Sequence, residues 1–206
     1  MVRSQLAERG IRDARVLAAM GTVPRDEFVP EPLRHDAYED HPLPIGEGQT
    51  ISQPYIVAAM LGHLALQASD RVLEVGTGSG YVTALLSELC AEVFSVERYA
   101  SLANSAEATL LRLRNVKIKV GDGSLGWTEQ APFDAILVSA ATAEVPPALF
   151  EQLSEGGRMI LPVGPPSSQQ LQLIRKIGGQ RAVTVLEGCR FVPLITANQQ
   201  PNPRQV

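Results

Sequence analysis

The sequence predicts an α/β fold in which a mostly parallel sheet carries helices on both faces. Short apolar stretches such as RVLEV (71–75), EVFSVE (92–97) and FDAILVSA (133–140) alternate with stretches of helical character. That alternation is typical of parallel sheets. The first of these strands runs into the glycine-rich turn GTGSG. Near the C-terminus, two apolar stretches joined by Gly178 and Gly179 predict an antiparallel hairpin at the sheet edge.

The elements can be assigned in order along the chain. Residues 2–20 are expected to be helical with a break at Gly10, the many prolines of residues 23–45 predict loops and short turns, and residues 53–66 predict a helix. The later predicted strands are 71–75, 92–97, 116–120, 133–140 and 158–163, and the predicted helices between them are 81–90, 100–113 and 146–157. The terminal hairpin is expected over 171–177 and 182–188.

A chain of 206 residues with 45% apolar and 19% charged residues fits one compact domain with a small appendage. We expect an N-terminal helical and loop cap over residues 1–66, packed on a core of residues 67–195. The tail, 196–206, is rich in Pro, Asn and Gln, and is expected to be mobile.

Charge and composition argue against several classes of partner. The net charge is −4, and the only basic cluster, Arg112, Arg114, Lys117 and Lys119, has the pattern of a solvated face, so we expect no nucleic-acid partner. The longest apolar run, residues 55–66, is too short to span a bilayer, so we expect no membrane association. Cys90 and Cys189 lie far apart and predict reduced thiols in a cytoplasmic protein.

Metal and nucleophile motifs do not occur in the sequence: it has no G-x-S-x-G, no G-x-x-x-x-G-K-[ST], no H-E-x-x-H and no C-x-x-C. His35 and His41 flank the acidic residues Asp36, Glu39 and Asp40, and a metal site could be drawn there. Loop residues of this kind are more often solvated, so we expect no metal.

The glycine turn predicts a ligand site. Gly76, Gly78 and Gly80 follow the first core strand, at the sheet edge where open α/β sheets bind ligands. Glycine lets the backbone approach a ligand, and the next helix points N–H groups at it. The spacing is G-x-G-x-G, and Tyr81 stands where the dinucleotide fingerprint has its third glycine, which argues against NAD or FAD. An ordinary strand–helix turn is the alternative.

Two acids sharpen this prediction. Glu97 ends the second core strand, where a carboxylate can accept hydrogen bonds from both ribose hydroxyls. Asp122 lies in GDG after the third strand and could accept from an adenine amino group. A helix cap or a solvated turn is the alternative for each. Together with the absence of a phosphate-binding lysine motif, these features suit an adenosyl ligand without a polyphosphate, such as S-adenosyl-L-methionine.

Several segments resemble one family closely. They include VPRDEFVP, LPIGEGQTISQP, VLEVGTGSGY, GDGSLGW, APFDAILVSAA and RFVPL. From about Val23 to Leu194 the chain resembles the protein-L-isoaspartate (D-aspartate) O-methyltransferases of bacterial type, and LPIGEGQTISQP and RFVPL are the more specific matches. The departures are small and lie after Tyr81 and in VSAATAEVPP.

The resemblance implies a Rossmann-like, S-adenosylmethionine-dependent methyltransferase fold with an antiparallel C-terminal edge and an N-terminal helical cap. It implies methylation of the free α-carboxylate of L-isoaspartyl residues in damaged proteins and peptides, with S-adenosyl-L-homocysteine as the other product. Succinimide formation and repair would follow. A related carboxyl methyltransferase with one dedicated partner is the alternative. We expect the enzyme to be a monomer.

The resemblance also assigns site residues. It makes Ser52 of the TIS motif the catalytic residue. The expected cofactor-binding residues are Gln49, Thr50, Ile51, Ser52, Gly76, Thr77, Gly78, Glu97, Arg98, Asp122 and Gly123. The expected substrate-binding residues are Ile45, Ser52, Val192, Pro193 and Leu194.

Two of these assignments have structural alternatives. Ser52 could cap the helix that follows by accepting a hydrogen bond from the N–H of Tyr55, with Pro54 tolerated in the first turn. As a catalytic group, its hydroxyl would instead donate to the substrate carboxylate. RFVPL could pair with the main chain of a substrate peptide, or it could be an ordinary edge strand.

Overall fold

The computed structural model describes residues 1–196 and has a seven-stranded sheet at its centre. The strand order is β5-β4-β3-β6-β7-β8-β9, with β5 through β7 parallel and the last two strands antiparallel. The strands are β3 Arg71–Val75, β4 Glu92–Glu97, β5 Val116–Val120, β6 Phe133–Val138, β7 Leu153–Val163, β8 Gln169–Ile177 and β9 Gln180–Cys189. The α/β prediction with an antiparallel C-terminal edge is therefore confirmed.

Five α-helices accompany the sheet in the described part of the chain: α1 Ala14–Thr22, α2 Pro54–Leu64, α3 Tyr81–Leu89, α4 Ala100–Thr109 and α5 Pro147–Glu151. A π-helical turn spans Val2–Ala7, and short 3₁₀ helices span Arg25–Phe28, Glu31–Asp36, Gly123–Leu125 and Thr128–Gln130. The break expected at Gly10 and the short turns expected among the prolines are present.

Both faces of β3, β4 and β6 are buried, as their nearly continuous apolar sequence requires, whereas the edge strand β5 is partly exposed. Val72 and Val93 belong to a core that also contains Leu6, Met20 and Leu85, so the N-terminal segment packs on the same face as α3. Alternate strand residues turn to the other face, where Leu73 and Phe94 join the core around Phe150. The sheet is thus held between two apolar layers.

A small antiparallel hairpin was not predicted. It consists of β1 Leu43–Gly46 and β2 Gln49–Ile51. Its two-residue turn is Glu47 and Gly48, both with positive φ, at +52° and +66°. The hairpin ends directly before Ser52, so it carries the TIS motif to the edge of the main sheet.

Two predicted helix ends are wrong. The helix predicted over 146–157 ends at Glu151, and β7 begins already at Leu153, because the Gly156–Gly157 pair lies inside a strand and does not cap a helix. Gly156 has φ of +77° there. The helix predicted over 100–113 ends at Thr109. The tail expected to be mobile lies, beyond residue 196, outside the described residues.

Residues 1–196 contain neither a helix able to span a membrane nor a cluster of metal-binding side chains. No helix there combines the length and the apolar character that crossing a membrane requires. The same part of the chain contains no group of three or more His, Cys, Asp or Glu side chains arranged to hold a metal ion. In the acidic loop, His35 contacts Asp36, and Asp40 is paired with Arg9.

Candidate active site

The glycine turn lies at the carboxyl edge of the sheet, where the chain first runs from β3 to β4 and later returns to β6 on the other side. Ligands of open α/β sheets bind at such a switch point. The N–H of Gly76 donates to the carbonyl of Val96 at 2.9 Å, and the N–H of Ser139 donates to the carbonyl of Val75 at 2.9 Å. These bonds fix the turn to the strands on either side.

Gly80 precedes α3 with φ of +89°, a conformation that favours glycine. A Cβ atom at this position would lie 3.0 Å from the Cδ1 atom of Leu110. The third glycine of the turn is therefore required by backbone conformation and by packing beneath the site.

Glu97 is the acid most firmly held at this edge. Its side chain is buried, with the residue 4% exposed. One carboxylate oxygen accepts from the N–H of Gly78 at 2.8 Å, and the other accepts from the N–H of Tyr99 at 2.9 Å. Each carboxylate oxygen can accept a second hydrogen bond. Glu97 is thus oriented by the backbone while retaining capacity for a ligand.

Asp122 has the role of a helix cap. Its Oδ1 atom accepts from the N–H of Ser124 at 2.9 Å and from the hydroxyl of Ser124 at 2.7 Å, and this caps the short helix Gly123–Leu125. Gly123 lines the cavity described next, and Asp122 does not. Its contact with adenine remains a prediction.

A cavity opens over the glycine turn. It brings together most of the predicted cofactor and substrate residues: Gln49, Thr50, Ile51, Ser52, Gly76, Thr77, Gly78, Glu97, Arg98, Gly123, Val192, Pro193 and Leu194. Ile45 is outside this lining, but its Cδ1 atom lies 3.2 Å from where a Cβ of Gly78 would be. The hairpin therefore packs directly on the turn.

Ser52 does not cap α2. The N–H of Tyr55 donates to the Oδ1 atom of Asp40 at 3.0 Å, and the helix begins after Gln53. No hydrogen bond to the Ser52 hydroxyl is formed by any of residues 1–196, whereas the Ser52 carbonyl accepts from Arg25 at 2.8 Å. The capping alternative is wrong, because a carboxylate from an upstream loop supplies the cap.

Asp40 is itself held by several donors. Its side chain accepts from the amide of Gln53 at 2.8 Å and forms an ion pair with Arg9. Burial favours the neutral form of Asp40, but the hydrogen bonds from Tyr55, Arg9 and Gln53 outweigh it and lower the pKa of Asp40. The cap is therefore a charged one.

A wider groove adjoins the cavity and shares residues with it. Both are lined by Thr50, Ser52, Ser139, Val192, Pro193 and Leu194. Arg9 and Tyr55 form part of the groove wall, with the Arg9 guanidinium 3.9 Å from the centre of the Tyr55 ring. Ser52 thus lies where the cavity meets the groove.

RFVPL is tied to the body of the protein by its backbone. The N–H of Ala141 donates to the carbonyl of Val192, and the N–H of Leu194 donates to the carbonyl of Ala141, both at 2.8 Å. The buried side chain of Gln169 accepts from the N–H of Phe191 at 2.6 Å and donates to its carbonyl at 3.1 Å. The segment is extended but makes only an isolated bridge, so it is not an ordinary edge strand.

A network of buried hydroxyl groups lies beneath the turn. The Oε2 atom of Glu74 accepts from Thr83 and from Ser95, each at 2.6 Å, and Ser95 is 2.6 Å from the hydroxyl of Thr77. Burial raises the pKa of Glu74 to about 8, and the bonds from Ser95 and Thr83 oppose that shift only in part. The Thr77 hydroxyl is thus engaged inside the protein, although Thr77 lines the cavity.

The family model for protein-L-isoaspartate(D-aspartate) O-methyltransferase matches residues 1–199. The chain belongs to this family. The protein-L-isoaspartate O-methyltransferase of Koribacter versatilis is 56% identical over 205 residues, covering 98% of this chain and 92% of that protein. The resemblance inferred from the motifs is confirmed.

Solved structures agree. A protein-L-isoaspartate O-methyltransferase superposes with a TM-score of 0.83 at 33% identity, covering 94% of this chain and 65% of that longer one. A candidate enzyme of the same kind from Plasmodium falciparum, solved in complex with S-adenosyl-L-homocysteine, superposes with a TM-score of 0.84 at 30% identity and covers 94% of this chain and 96% of that one. The fold is that of the S-adenosylmethionine-dependent methyltransferases, as predicted.

Several residues that line the cavity of this isoaspartate methyltransferase family member were not predicted from the sequence. They are Val75, Ser79, Tyr81, Val82, Val96, Tyr99, Ser139, Ala140 and Ile195. Ser139 and Ala140 directly follow β6, so counting past the end of each parallel strand would have found them. Tyr99 could have been found by the same count after β4. Tyr81 was noticed only for the glycine that it replaces.

Proposed function

We propose that this chain is a protein-repair methyltransferase that moves a methyl group from S-adenosyl-L-methionine to the free α-carboxylate of L-isoaspartyl residues in damaged proteins and peptides. The observation that carries the proposal is the position of Ser52. Its hydroxyl has no capping role, and the residue lines both the cavity over the glycine turn and the adjoining groove.

The cavity suits an adenosyl cofactor. A glycine turn gives close backbone approach, and the fixed carboxylate of Glu97 offers acceptors for two neighbouring hydroxyls. Gly76 to Gly78, Arg98 and Gly123 would form the floor and wall, and Gln49, Thr50 and Ile51 of the hairpin would cover the ligand. When bound, S-adenosylmethionine supplies an electrophilic methyl group for attack by the substrate carboxylate and leaves as S-adenosyl-L-homocysteine.

The chain need not supply a general base. An α-carboxyl group has a reference pKa of about 3.5 and is ionised at neutral pH, so the substrate carries its own nucleophile. Consistent with this, none of the described residues that line the cavity is His, Lys or Cys. Ser52 would donate its hydroxyl to one carboxylate oxygen and thereby aim the other. Positioning of this kind can supply about 7–11 kcal/mol of the barrier.

The methyl ester leads to repair through its own reactivity. Methanol is a better leaving group than the oxygen of a carboxylate, so the neighbouring backbone nitrogen closes a succinimide more rapidly on the ester. Hydrolysis of that ring returns a share of normal aspartyl linkages. The enzyme has only to catalyse the methylation.

Val192, Pro193 and Leu194 would bind the substrate peptide by its main chain. The carbonyl of Val192 and the N–H of Leu194 are hydrogen bonded to the backbone of Ala141, which fixes the segment. The same residues line the groove beside Ser52. Main-chain recognition would give little sequence preference. Ile45 would contact the substrate from the hairpin. Replacing Val192 with Asp should raise the KM for an isoaspartyl peptide, and an unchanged KM would remove this role.

The experiment that tests the function is methyl transfer from labelled S-adenosylmethionine to a synthetic isoaspartyl peptide, with the matching aspartyl peptide as control. We expect base-labile label on the isoaspartyl peptide alone. No label on either peptide, with S-adenosyl-L-homocysteine still bound, would overturn isoaspartate repair and favour a dedicated partner. A cytoplasmic location and a monomeric state remain predictions.

A further inference from the structure

Arg25 is a fully buried cation near the site. It begins the short helix Arg25–Phe28 and has no exposed surface. The salt bridges among residues 1–196 are all formed by other cations. No Asp or Glu in that range therefore forms an ion pair with Arg25. Burial lowers the pKa of Arg25 to about 10, which still leaves it charged at neutral pH.

A buried cation without a carboxylate partner costs stability. An apolar side chain of similar volume would fill the same space without that cost. The guanidinium must therefore contribute something that an apolar residue cannot, and its contacts show what that is.

The guanidinium connects three separate parts of the protein. Its Nε atom donates to the carbonyl of Ala37 at 2.8 Å, in the N-terminal loop region. Its Nη2 atom donates to the carbonyl of Ser52 at 2.8 Å. Its Cζ atom lies 4.9 Å from the centre of the Tyr81 ring, a cation–π contact.

Two of these three contacts are with residues that line the cavity. Ser52 is the residue assigned to the substrate carboxylate, and Tyr81 lines the cavity and is the first residue of α3 after the glycine turn. The planar fork of arginine can make both contacts at once, whereas lysine offers a single point charge. A small displacement of the Arg25 guanidinium would therefore alter the distance between Ser52 and the start of α3 at Tyr81.

We propose that Arg25 is a positioning residue for methyl transfer, which sets the place of Ser52 relative to the glycine turn by bonding the Ser52 carbonyl while packing on Tyr81. This inference rests on the proposed role of Ser52. It does not require Arg25 to touch substrate or cofactor.

Arg15, an exposed arginine, offers a control for the loss of arginine–carbonyl hydrogen bonds. This arginine also donates to two backbone carbonyls, those of Leu66 and Leu89, and thereby joins separate elements. It makes no contact with Ser52 or Tyr81. Arg15→Lys should therefore remove two comparable arginine–carbonyl hydrogen bonds without the effect on catalysis.

The test compares Arg25→Lys, Arg15→Lys and wild type in the full chain. Turnover on an isoaspartyl peptide is divided by the concentration of S-adenosyl-L-homocysteine binding sites, so that unfolded protein does not count. We expect Arg25→Lys to lower kcat by about 10- to 100-fold, as a displacement of about 1 Å can, with the Kd for S-adenosyl-L-homocysteine changed by less than about 3-fold. Arg15→Lys should keep kcat within about 2-fold.

Hydrogen–deuterium exchange of peptides covering residues 49–56 gives a readout that does not depend on the substrate. We expect faster exchange in Arg25→Lys and wild-type exchange in Arg15→Lys. An unchanged kcat per binding site in Arg25→Lys, or an equal fall in Arg15→Lys, would overturn the positioning role. If wild type does not methylate the peptide, the repair proposal fails. The positioning role is then tested by hydrogen–deuterium exchange alone, and unchanged exchange of residues 49–56 in Arg25→Lys would overturn it.

Discussion

The carboxylate of Asp40 accepts a hydrogen bond from the backbone N–H of Tyr55 at 3.0 Å. A loop acid thereby satisfies the N–H that a serine at the start of the helix would ordinarily satisfy. Ser52 lies three residues before Tyr55 and is relieved of that role. The hydroxyl can therefore donate to a ligand without any loss to the helix.

Ser52→Ala should abolish most of the activity and leave stability nearly unchanged. The hydroxyl forms no hydrogen bond with any of residues 1–196, so its removal breaks none there and should cost less than about 0.5 kcal/mol in the free energy of unfolding. Methyl transfer to an isoaspartyl peptide and urea unfolding measure the two effects. Ser79→Ala, also in the cavity lining, is the control for simple loss of a hydroxyl. A Ser52→Ala enzyme with wild-type kcat would remove Ser52 from the mechanism.

Asp40→Ala should have the opposite profile, with a clear loss of stability. Removing a cap typically costs about 0.5–2 kcal/mol. The pKa of Asp40 is lowered in the folded state, so its charge stabilises the fold above the ordinary Asp pKa, and this contribution disappears as pH falls through the lower folded pKa. The difference from wild type in urea unfolding should therefore narrow below about pH 4. Asp36→Ala, in the same loop region, is the control, and equal losses in both variants would contradict a capping role.

The sequence was sufficient to predict the sheet because its strands are marked locally. Strands such as Arg71–Val75 are short apolar runs bounded by turns, and both ends were predicted to the residue. The Gly156–Gly157 pair was misleading because two glycines after a helical pattern resemble a helix end. Here Gly157 faces the carbonyl of Ser154 so closely that a Cβ would lie 2.8 Å from it, a packing constraint that local sequence does not reveal.

The site could be predicted where residues follow strand ends, as Glu97 and Gly123 do. The roles of Asp40 and Arg25 could not be predicted, because they depend on distant contacts. Asp40 contacts Tyr55, which is 15 positions away, and Arg25 contacts Ser52, which is 27 positions away. A loop acid and a buried arginine give no periodic signal. Ser52, the nearest residue of suitable type, was therefore the only candidate cap of α2 that the sequence suggested, whereas the actual cap comes from another part of the fold.

Glu97→Gln should weaken cofactor binding. The amide keeps the shape of the side chain but has only one acceptor oxygen, so it cannot accept from both Gly78 and Tyr99 while also serving a ligand. Loss of a hydrogen bond to a charged group is worth about 1.5–3 kcal/mol, or about 10- to 150-fold in affinity. Calorimetric titration with S-adenosyl-L-homocysteine measures this, with Glu92→Gln on the same strand as the control. Unchanged affinity would show that Glu97 has a structural role alone.

Glu74 should make the stability of the protein depend on pH through the neutral range. Its side chain has no exposed surface, and only its Oε2 atom is hydrogen bonded within the described residues. Burial raises its pKa from 4.5 to about 8, an effect that the charge of Glu97 reinforces. Between these two values the folded chain keeps a proton that the unfolded chain releases. The free energy of unfolding must then fall as pH rises, by at most about 1.4 kcal/mol per pH unit.

Glu74→Gln removes that dependence, because glutamine accepts the bonds from Thr83 and Ser95 and does not titrate. Urea unfolding measures the free energy of unfolding of wild type and Glu74→Gln between about pH 5 and pH 7. We expect wild type to lose stability steadily relative to the variant as the pH rises through this range. Glu92→Gln, at a half-exposed acid on β4, is the control for loss of a carboxylate elsewhere on the sheet. If Glu74→Gln runs parallel to wild type, then Glu74 is ionised in the folded protein, and the unpaired Oε1 atom must have a cationic or water partner that compensates its charge.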